Sequence, residues 1–309
     1  MFSELKSSLR VASHSFGGAG VFLLIAINAQ AQNLFESDYG SGQINEFTPA
    51  GAPSTFVSGL NQPLGLAFDS AGNLFESDAN SGNIYEFTSG AVQSLFASGL
   101  ERPNGLAFDS AGNLFVADGN AGDIYEFTPG GTQSTFTTGL SRPVGLAFDS
   151  AGDLFVSDYL NDDIYKFTPG GTQSLFASGL NGPWGLAFDS AGNLFEADSG
   201  SGNIYEFTPG GTQSTFASGL DHPVGLAFDS AGNLFEGDFN SGDIYEFTPG
   251  GAQSLFAFGL NGPTLLAFQG EGLPVPEPPD LGLLAFGIIA VVIIPGRNLL
   301  RRQMAGSNK

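Results

Sequence analysis

The stretch Gly65–Gly72, which reads GLAFDSAG, decides the fold because it returns along the chain at a fixed spacing. Four identical copies and one diverged copy, LLAFQGEG, follow at intervals of 40 residues and begin at Gly105, Gly145, Gly185, Gly225 and Leu265. Self-similarity with a period of this length indicates an array in which each unit supplies one small piece of a common core.

One period contains four short runs rich in Phe, Leu, Ile and Tyr: GLAF, NLFES, NIYEF and QSLFAS. Turn sequences bound them, such as Asp69–Gly72 and Ser81-Gly82, in which Gly supplies the positive φ that a tight turn needs. No stretch inside the repeat has helical periodicity. Four strands in each of six repeats predict an all-β fold, a six-bladed β-propeller with four-stranded blades.

The two ends of the repeat region predict how the ring closes. Asn33-Leu34-Phe35 matches the second strand of a repeat and has no first strand before it, whereas Leu265–Phe268 is a first strand with no second strand after it. We expect these two segments to pair and to complete the sixth blade. This pairing would remove the exposed edges of a linear array in a chain that has no cysteine and therefore no disulfide.

The repeat resembles the NHL-repeat family of six-bladed propellers. In the third copy the matching residues are Pro103, Gly105, Asp109, Gly112, Asn113 and Asp118. Many repeats of that family carry Arg before the third strand, where this chain has Asn83, Asp123, Asp163, Asn203 or Asp243. The basic surface by which some family members bind RNA is therefore missing. The charge agrees, since only three Lys or Arg face 28 Asp and Glu between Asn33 and Glu271. Such a field repels phosphate backbones, and we expect no nucleic-acid partner.

Both ends of the chain are interpreted as targeting segments. Residues 1–31 combine Lys6 and Arg10, an apolar run and Ala29-Gln30-Ala31, which predicts a secretory signal peptide. Residues 32–270 form the propeller, residues 271–280 a proline-rich linker, and residues 281–309 an apolar segment, a hydrophobic helix, followed by arginines. The last part resembles the PEP-CTERM sorting signal that an exosortase is thought to process; the matching residues are Pro276, Glu277, Pro278, Arg297, Arg301 and Arg302. We expect an exported, monomeric protein of a bacterial envelope or cell surface, anchored in the membrane at least transiently.

The copies differ almost only at one rim of the ring. The DSAGN and TPGGTQ turns form an invariant rim, whereas the loops before each first strand and the hairpins between second and third strands form a variable rim. Aromatic and polar side chains there would suit a sugar ring. The candidate ligand-binding residues are Trp184, His222, Tyr159, Phe239, Arg102, Arg142 and Asn104.

The expected function is a non-catalytic binding or scaffold module for exopolysaccharide, another envelope glycan or an envelope protein, without a cofactor. One alternative is a metal-dependent lactonase or lyase, because gluconolactonase-type propellers and virginiamycin B lyase resemble this architecture; the first resemblance implies a divalent metal over the channel. Glu36, Glu76, Glu196 and Glu236 recur in four blades. A second alternative is an acidic surface protein cross-linked by weakly bound Ca²⁺. Weak metal candidates recur in every blade: Asp38, Asp78, Asp118, Asp158, Asp198 and Asp238.

Overall fold

The computed structural model describes residues 32–270, which form 24 β-strands in six four-stranded antiparallel sheets. The first twelve strands are β1 (Leu34–Asp38), β2 (Gln43–Phe47), β3 (Pro53–Ser58), β4 (Pro63–Phe68), β5 (Leu74–Asp78), β6 (Asn83–Phe87), β7 (Gln93–Ser98), β8 (Pro103–Phe108), β9 (Leu114–Asp118), β10 (Asp123–Phe127), β11 (Gln133–Thr137) and β12 (Pro143–Phe148). The remaining strands are β13 (Leu154–Asp158), β14 (Asp163–Phe167), β15 (Gln173–Ser178), β16 (Pro183–Phe188), β17 (Leu194–Asp198), β18 (Asn203–Phe207), β19 (Gln213–Ser218), β20 (Pro223–Phe228), β21 (Leu234–Asp238), β22 (Asp243–Phe247), β23 (Gln253–Ala257) and β24 (Pro263–Phe268).

The sheets are the blades of a closed ring, as predicted. Blades 1 to 5 are β4–β7, β8–β11, β12–β15, β16–β19 and β20–β23, and blade 6 has the order β24-β1-β2-β3. The strands β4, β8, β12, β16, β20 and β24 contact one another around the centre, so the GLAF strand is the inner strand of every blade. The predicted signal peptide, proline-rich linker, sorting signal and C-terminal helix lie outside the described residues. Within 32–270 there is no helix that could span a membrane.

The predicted closure is confirmed by the register of β1 with β24. Leu34 pairs with Phe268, Phe35 with Ala267, and Glu36 with Leu266. Blade 6 therefore takes its inner strand from the end of the repeat region and its other three strands from the beginning. The pairing gives β1 a hydrogen-bonded neighbour on its inner edge, as β4 gives β5 in an uninterrupted blade.

A ladder of phenylalanines joins each blade to the next. Phe75 of β5 packs edge-to-face against Phe96 of its own outer strand and against Phe108 of the next inner strand, with both pairs of ring centroids 5.1 Å apart. The same triplet occurs in every blade, and Phe235 and Phe268 repeat it across the closure at 5.0 Å. Edge-to-face pairs contribute about 0.5–1.5 kcal/mol beyond the area they bury. The outer strands contribute less to this packing, since their first three residues are exposed.

The glycine of GLAF is required by the close approach of neighbouring inner strands. A Cβ at Gly105 would collide with the carbonyl oxygen of Val144, and the same collision recurs at Gly65, Gly145, Gly185 and Gly225. None of these five has a positive φ, so the reason for glycine is space rather than backbone conformation.

We predict that Gly105→Ala destabilises the ring. The methyl group would have to displace a backbone carbonyl, and overpacking of this kind costs about 1–3 kcal/mol. For a domain of this size the melting temperature should fall by about 2–4 °C per kcal/mol.

Gly130→Ala is the matched control because the nearest atom to its Cβ is Thr128 Oγ1 at 3.9 Å and its φ is not positive. Thermal unfolding followed by circular dichroism measures both variants. Equal melting temperatures for Gly105→Ala and Gly130→Ala would contradict the steric explanation.

Candidate functional site

The variable rim is organised by one backbone hydrogen bond per blade. The residue after the second strand donates its N–H to the carbonyl of the residue before the inner-strand proline, as Tyr159 does to Arg142 at 3.0 Å and Phe239 to His222 at 3.1 Å. This bond brings the two most variable positions of a blade together. The rim therefore presents six such pairs around the mouth of the ring.

The six aspartates that end the second strands hold the rim loops in place. Asp158 accepts the N–H groups of Ser141 and Arg142 at 2.8 and 2.7 Å. The other blades have the same type of contact, and all six carboxylates are buried: Asp38, Asp78, Asp118, Asp158, Asp198 and Asp238. Carboxylates engaged by backbone donors at both oxygens cap the loops.

Five side chains form a continuous row across blades 3 to 6, which we call the aromatic arc: Tyr159, Trp184, His222, Phe239 and Tyr39. The ring centroids of neighbours are 5.3, 6.3, 5.8 and 5.8 Å apart in that order. All five side chains are half-buried. The structure thus brings four of the predicted residues into one row and adds Tyr39, whose hairpin position equals that of Tyr159 and Phe239.

Two glycines make room for the arc. A Cβ at Gly182 would lie 3.0 Å from Tyr159 Cε2, and one at Gly262 would lie 3.0 Å from Phe239 Cε2. Both glycines occupy the position that holds Arg102, Arg142 or His222 in other blades. The large hairpin side chains Tyr159 and Phe239 are therefore each matched by a glycine in the next blade.

The two predicted arginines lie at the Tyr159 end of the arc. The Arg142 guanidinium carbon is 4.9 Å from the Tyr159 ring centroid and 5.9 Å from that of Trp184. Burial and the positive charge of Arg102 lower the pKa of Arg142. Both Nε atoms are buried and have no hydrogen-bond partner. Among the described residues only Lys166, on the invariant rim, forms an ion pair, so both arginines keep an uncompensated positive charge.

Asn104 lies between the two arginine loops. Its side chain is only 2% exposed, and its Nδ2 donates to the carbonyl of Pro143, the residue after Arg142, at 2.9 Å. The Oδ1 atom is buried without a donor. The structure therefore gathers Arg102, Arg142 and Asn104 into one polar group, and their role in binding a ligand stays a prediction.

Four glutamates are buried in four consecutive blade interfaces. Glu36, Glu76, Glu196 and Glu236 have no exposed surface, and only Glu36 has a partner, the Asn45 amide at 2.9 Å. Burial raises the pKa of Glu36 to about 8 and raises the pKa of the other three well above the ordinary value. The two remaining interfaces contain Val116 and Val156 at this position.

These glutamates predict a pH-dependent stability. At low pH the carboxyl is neutral in both the folded and the unfolded chain; as pH rises from about 5 towards 8 the unfolded chain releases its protons first, and stability is lost.

Glu236→Val, which copies Val116, should raise the stability at about pH 8 by about 1–3 kcal/mol and weaken the pH dependence. Urea unfolding at about pH 5 and about pH 8 measures the free energy of unfolding. Glu206→Gln, a half-exposed position, is the control, and an unchanged pH profile in Glu236→Val would refute the explanation.

The described residues do not fit a divalent metal over the channel. Residues 32–270 contain no group of three or more Asp, Glu, His or Cys side chains that could hold a metal ion. The six aspartates already accept backbone N–H groups, and the buried glutamates lie in separate interfaces. At the inner-strand position of Asn104 the other blades have Leu64, Val144, Trp184, Val224 and Thr264, so oxygen donors do not converge there. We therefore derive no reaction step through a metal.

A cleft with a volume of about 330 Å³ opens on the invariant rim between blades 5 and 6. Gln32, Asp229 and Phe256 line it together with neighbouring residues, and none of the predicted ligand-binding residues does. The cleft lies at the closure, where the DSAGN turn of the other blades is replaced by Gln32-Asn33 and Gln269-Gly270. It is a consequence of how the ring closes.

Comparison with known proteins identifies a family. The model of the "SMP-30/Gluconolactonase/LRE-like region" matches residues 25–218, well over half of the chain. No curated protein matches the chain in sequence. The NHL resemblance therefore predicted the six-bladed architecture correctly, while the family that matches is a different one.

Several solved structures are similar in fold. A chain of a nidogen–laminin complex aligns with a TM-score of 0.71 and 20% identity over 77% of this chain and 98% of that one. Virginiamycin B lyase from Staphylococcus aureus aligns with a TM-score of 0.56 and 16% identity over 67% and 77%. A protein assigned as a gluconolactonase aligns with a TM-score of 0.61 and 18% identity over 69% and 87%.

The expectation of a non-catalytic protein is wrong. The matching family is described by gluconolactonase, and a lyase and a gluconolactonase are among the proteins of similar fold. The repetition of the carboxylates around the ring had favoured a scaffold over the metal-dependent lactonase or lyase named as an alternative.

Proposed function

The chain belongs to the SMP-30/gluconolactonase/LRE-like family, and on this premise we propose that it is an enzyme that opens a cyclic ester on the variable rim. The single observation that carries the proposal is the uncompensated pair Arg102 and Arg142 beside the buried, unpartnered oxygen of Asn104. In a strongly acidic protein, two adjacent arginines without carboxylate partners are suited to an anion or to an oxygen that becomes one.

The arginines would act on the carbonyl end of the substrate. Attack on a lactone carbonyl places negative charge on its oxygen, and ring opening leaves a carboxylate. Guanidinium groups that carry positive charge before the reaction stabilise both species. Asn104 is buried and would position the Arg142 loop through its bond to the carbonyl of Pro143, whereas Tyr159 and Trp184 would provide apolar surfaces for the C–H bonds of the substrate ring.

His222 is the side chain best suited to move the proton. Water adds to the carbonyl carbon, the ring C–O bond breaks, and the proton that water loses is returned to the ring oxygen. Histidine as a residue type exchanges protons near neutral pH. The His222 and Trp184 ring centroids are 6.3 Å apart, and Arg142 lies against the same indole, so a substrate ring on Trp184 is flanked by both groups.

We predict that Arg142→Gln lowers kcat/KM for sugar-acid lactones by about 10- to 100-fold, because hydrogen bonds to a charged group are worth about 1.5–3 kcal/mol. Lys166→Gln is the matched control, since Lys166 is the third cation of the described part and lies on the invariant rim. The assay follows the acid released from glucono-δ-lactone by pH-stat titration. Equal loss in both variants, or no loss in Arg142→Gln, would contradict the proposal.

The product distinguishes hydrolysis from elimination. A hydrolase adds one water molecule to the substrate and leaves a saturated hydroxy acid, whereas a lyase leaves a product of unchanged mass with a new double bond. Mass spectrometry of the products formed in ¹⁸O-labelled water separates the two. Incorporation of the label supports hydrolysis, and a product without it would assign the lyase reaction.

We also propose that the enzyme acts in the cell envelope. The signal-like residues 1–31 and the sorting-like residues 281–309 support export. Fractionation of cells that express the full chain tests this, and recovery of the uncleaved chain in the cytoplasm would contradict it.

A further inference from the structure

The aromatic arc is longer than a single sugar ring requires. Tyr159 and Trp184 would cover one ring beside the arginines, yet the row continues through His222, Phe239 and Tyr39 without a gap. We propose that the variable rim binds a chain of sugar rings along the arc, with a single acidic or lactone end at Arg102 and Arg142. The position of that end rests on the proposed function.

The geometry of the arc favours a chain of rings. Neighbouring centroids are 5.3–6.3 Å apart, a step close to the width of one pyranose, and the row crosses four blades. The aromatic faces are inclined to one another by 64° to 79°, so the row offers a series of separate surfaces rather than one flat plane. Sugar rings joined by flexible linkages can tilt to follow such a series.

Contacts with the surrounding loops fix the end of the aromatic arc that lies away from the arginines. Phe239 lies on Gly262, and Tyr39 donates its backbone N–H to the carbonyl of the same glycine at 3.1 Å. His222 adopts a φ of 72°, which is unfavourable for a residue with a side chain, and its imidazole lies between Trp184 and Phe239. The ordered backbone contacts keep the half-exposed rings in a fixed row.

The charges around the arc select a neutral chain. Polar groups that can bind hydroxyls flank it, such as the exposed Asp221, which accepts the Asn240 amide at 3.1 Å. Arg102 and Arg142 are the only Lys or Arg on the variable rim, and the many carboxylates of the described residues would repel a polyanion. A ligand with one negative end and neutral hydroxylated rings matches this distribution.

The experiment compares chain lengths. Aldonic acids made by oxidising the reducing ends of α-1,4 gluco-oligosaccharides of two to six units provide ligands of one to five rings with one carboxylate each, because the oxidised end unit becomes an open chain. Isothermal titration calorimetry should give an affinity for five rings at least about tenfold higher than for one ring, because each added ring would gain a further aromatic contact. Tyr39→Ser, which copies Ser199 at the same hairpin position, should reduce the affinity gained by the longest chains.

Leu95→Thr is the control for that substitution, because it copies Thr135 at an exposed outer-strand position of the next blade and should leave the length dependence unchanged. Equal affinity for one and five rings, or a length dependence that Tyr39→Ser does not alter, would overturn the proposal. Binding is measured independently of turnover. Length-dependent binding without lactone opening would therefore reject the proposed function alone, whereas lactone opening without length dependence would reject this inference alone.

Discussion

The pairing of β1 with β24 is the contact on which the rest of the structure depends. Blade 6 exists only because the two strands meet, and the phenylalanine ladder passes through that blade in both directions, from Phe235 to Phe268 and from Phe35 to Phe68. Each blade packs one of its faces against the next blade, so no blade has a complete core by itself. The six hydrophobic clusters accordingly each contain residues of two adjacent blades, including the one at the closure.

Closure also brings together parts of the variable rim, which carries the candidate functional site. Tyr39 comes from the start of the repeat region and Gly262 from its end, and the aromatic arc crosses the seam between them. The ring thus separates two tasks. The invariant rim contains the repeated Asp-led turns and the site of closure, whereas the variable rim contains the unreplicated arginines, Asn104 and the arc. Identical copies form the scaffold, and the proposed chemistry lies where the copies differ.

The architecture could be predicted from the sequence because each of its determinants repeats. Phe75 and its five equivalents mark the second strands, and Gly105 and its equivalents mark the inner ones. The site could be predicted only in part. That Trp184, His222 and Phe239 are neighbours followed from their shared rim, but the pairing of Phe239 with Gly262 needs the blade-to-blade geometry. The burial of Glu236 was not predicted, although Val116 at the same position of another blade was a usable signal.

The expectation of a non-catalytic protein had a related cause. Six-fold repetition draws attention to residues that recur, whereas an active site needs residues that occur once. Arg142 differs from the corresponding residue in four of the other five blades. Its nearness to Arg102 becomes evident only when the loops of blades 2 and 3 are placed side by side. The net charge of the sequence predicted no nucleic-acid partner, and it gave no information on a local positive site.

Amide hydrogen exchange of the propeller, followed by mass spectrometry, tests the central claim most directly. The account predicts that amides of β24 and β1 exchange as slowly as those of β20 and β21, which occupy the same places in an uninterrupted blade. Exchange of the β24 amides as fast as those of the outer strand β7 would contradict the account. The ring would then be open, and the aromatic arc would not continue across the closure.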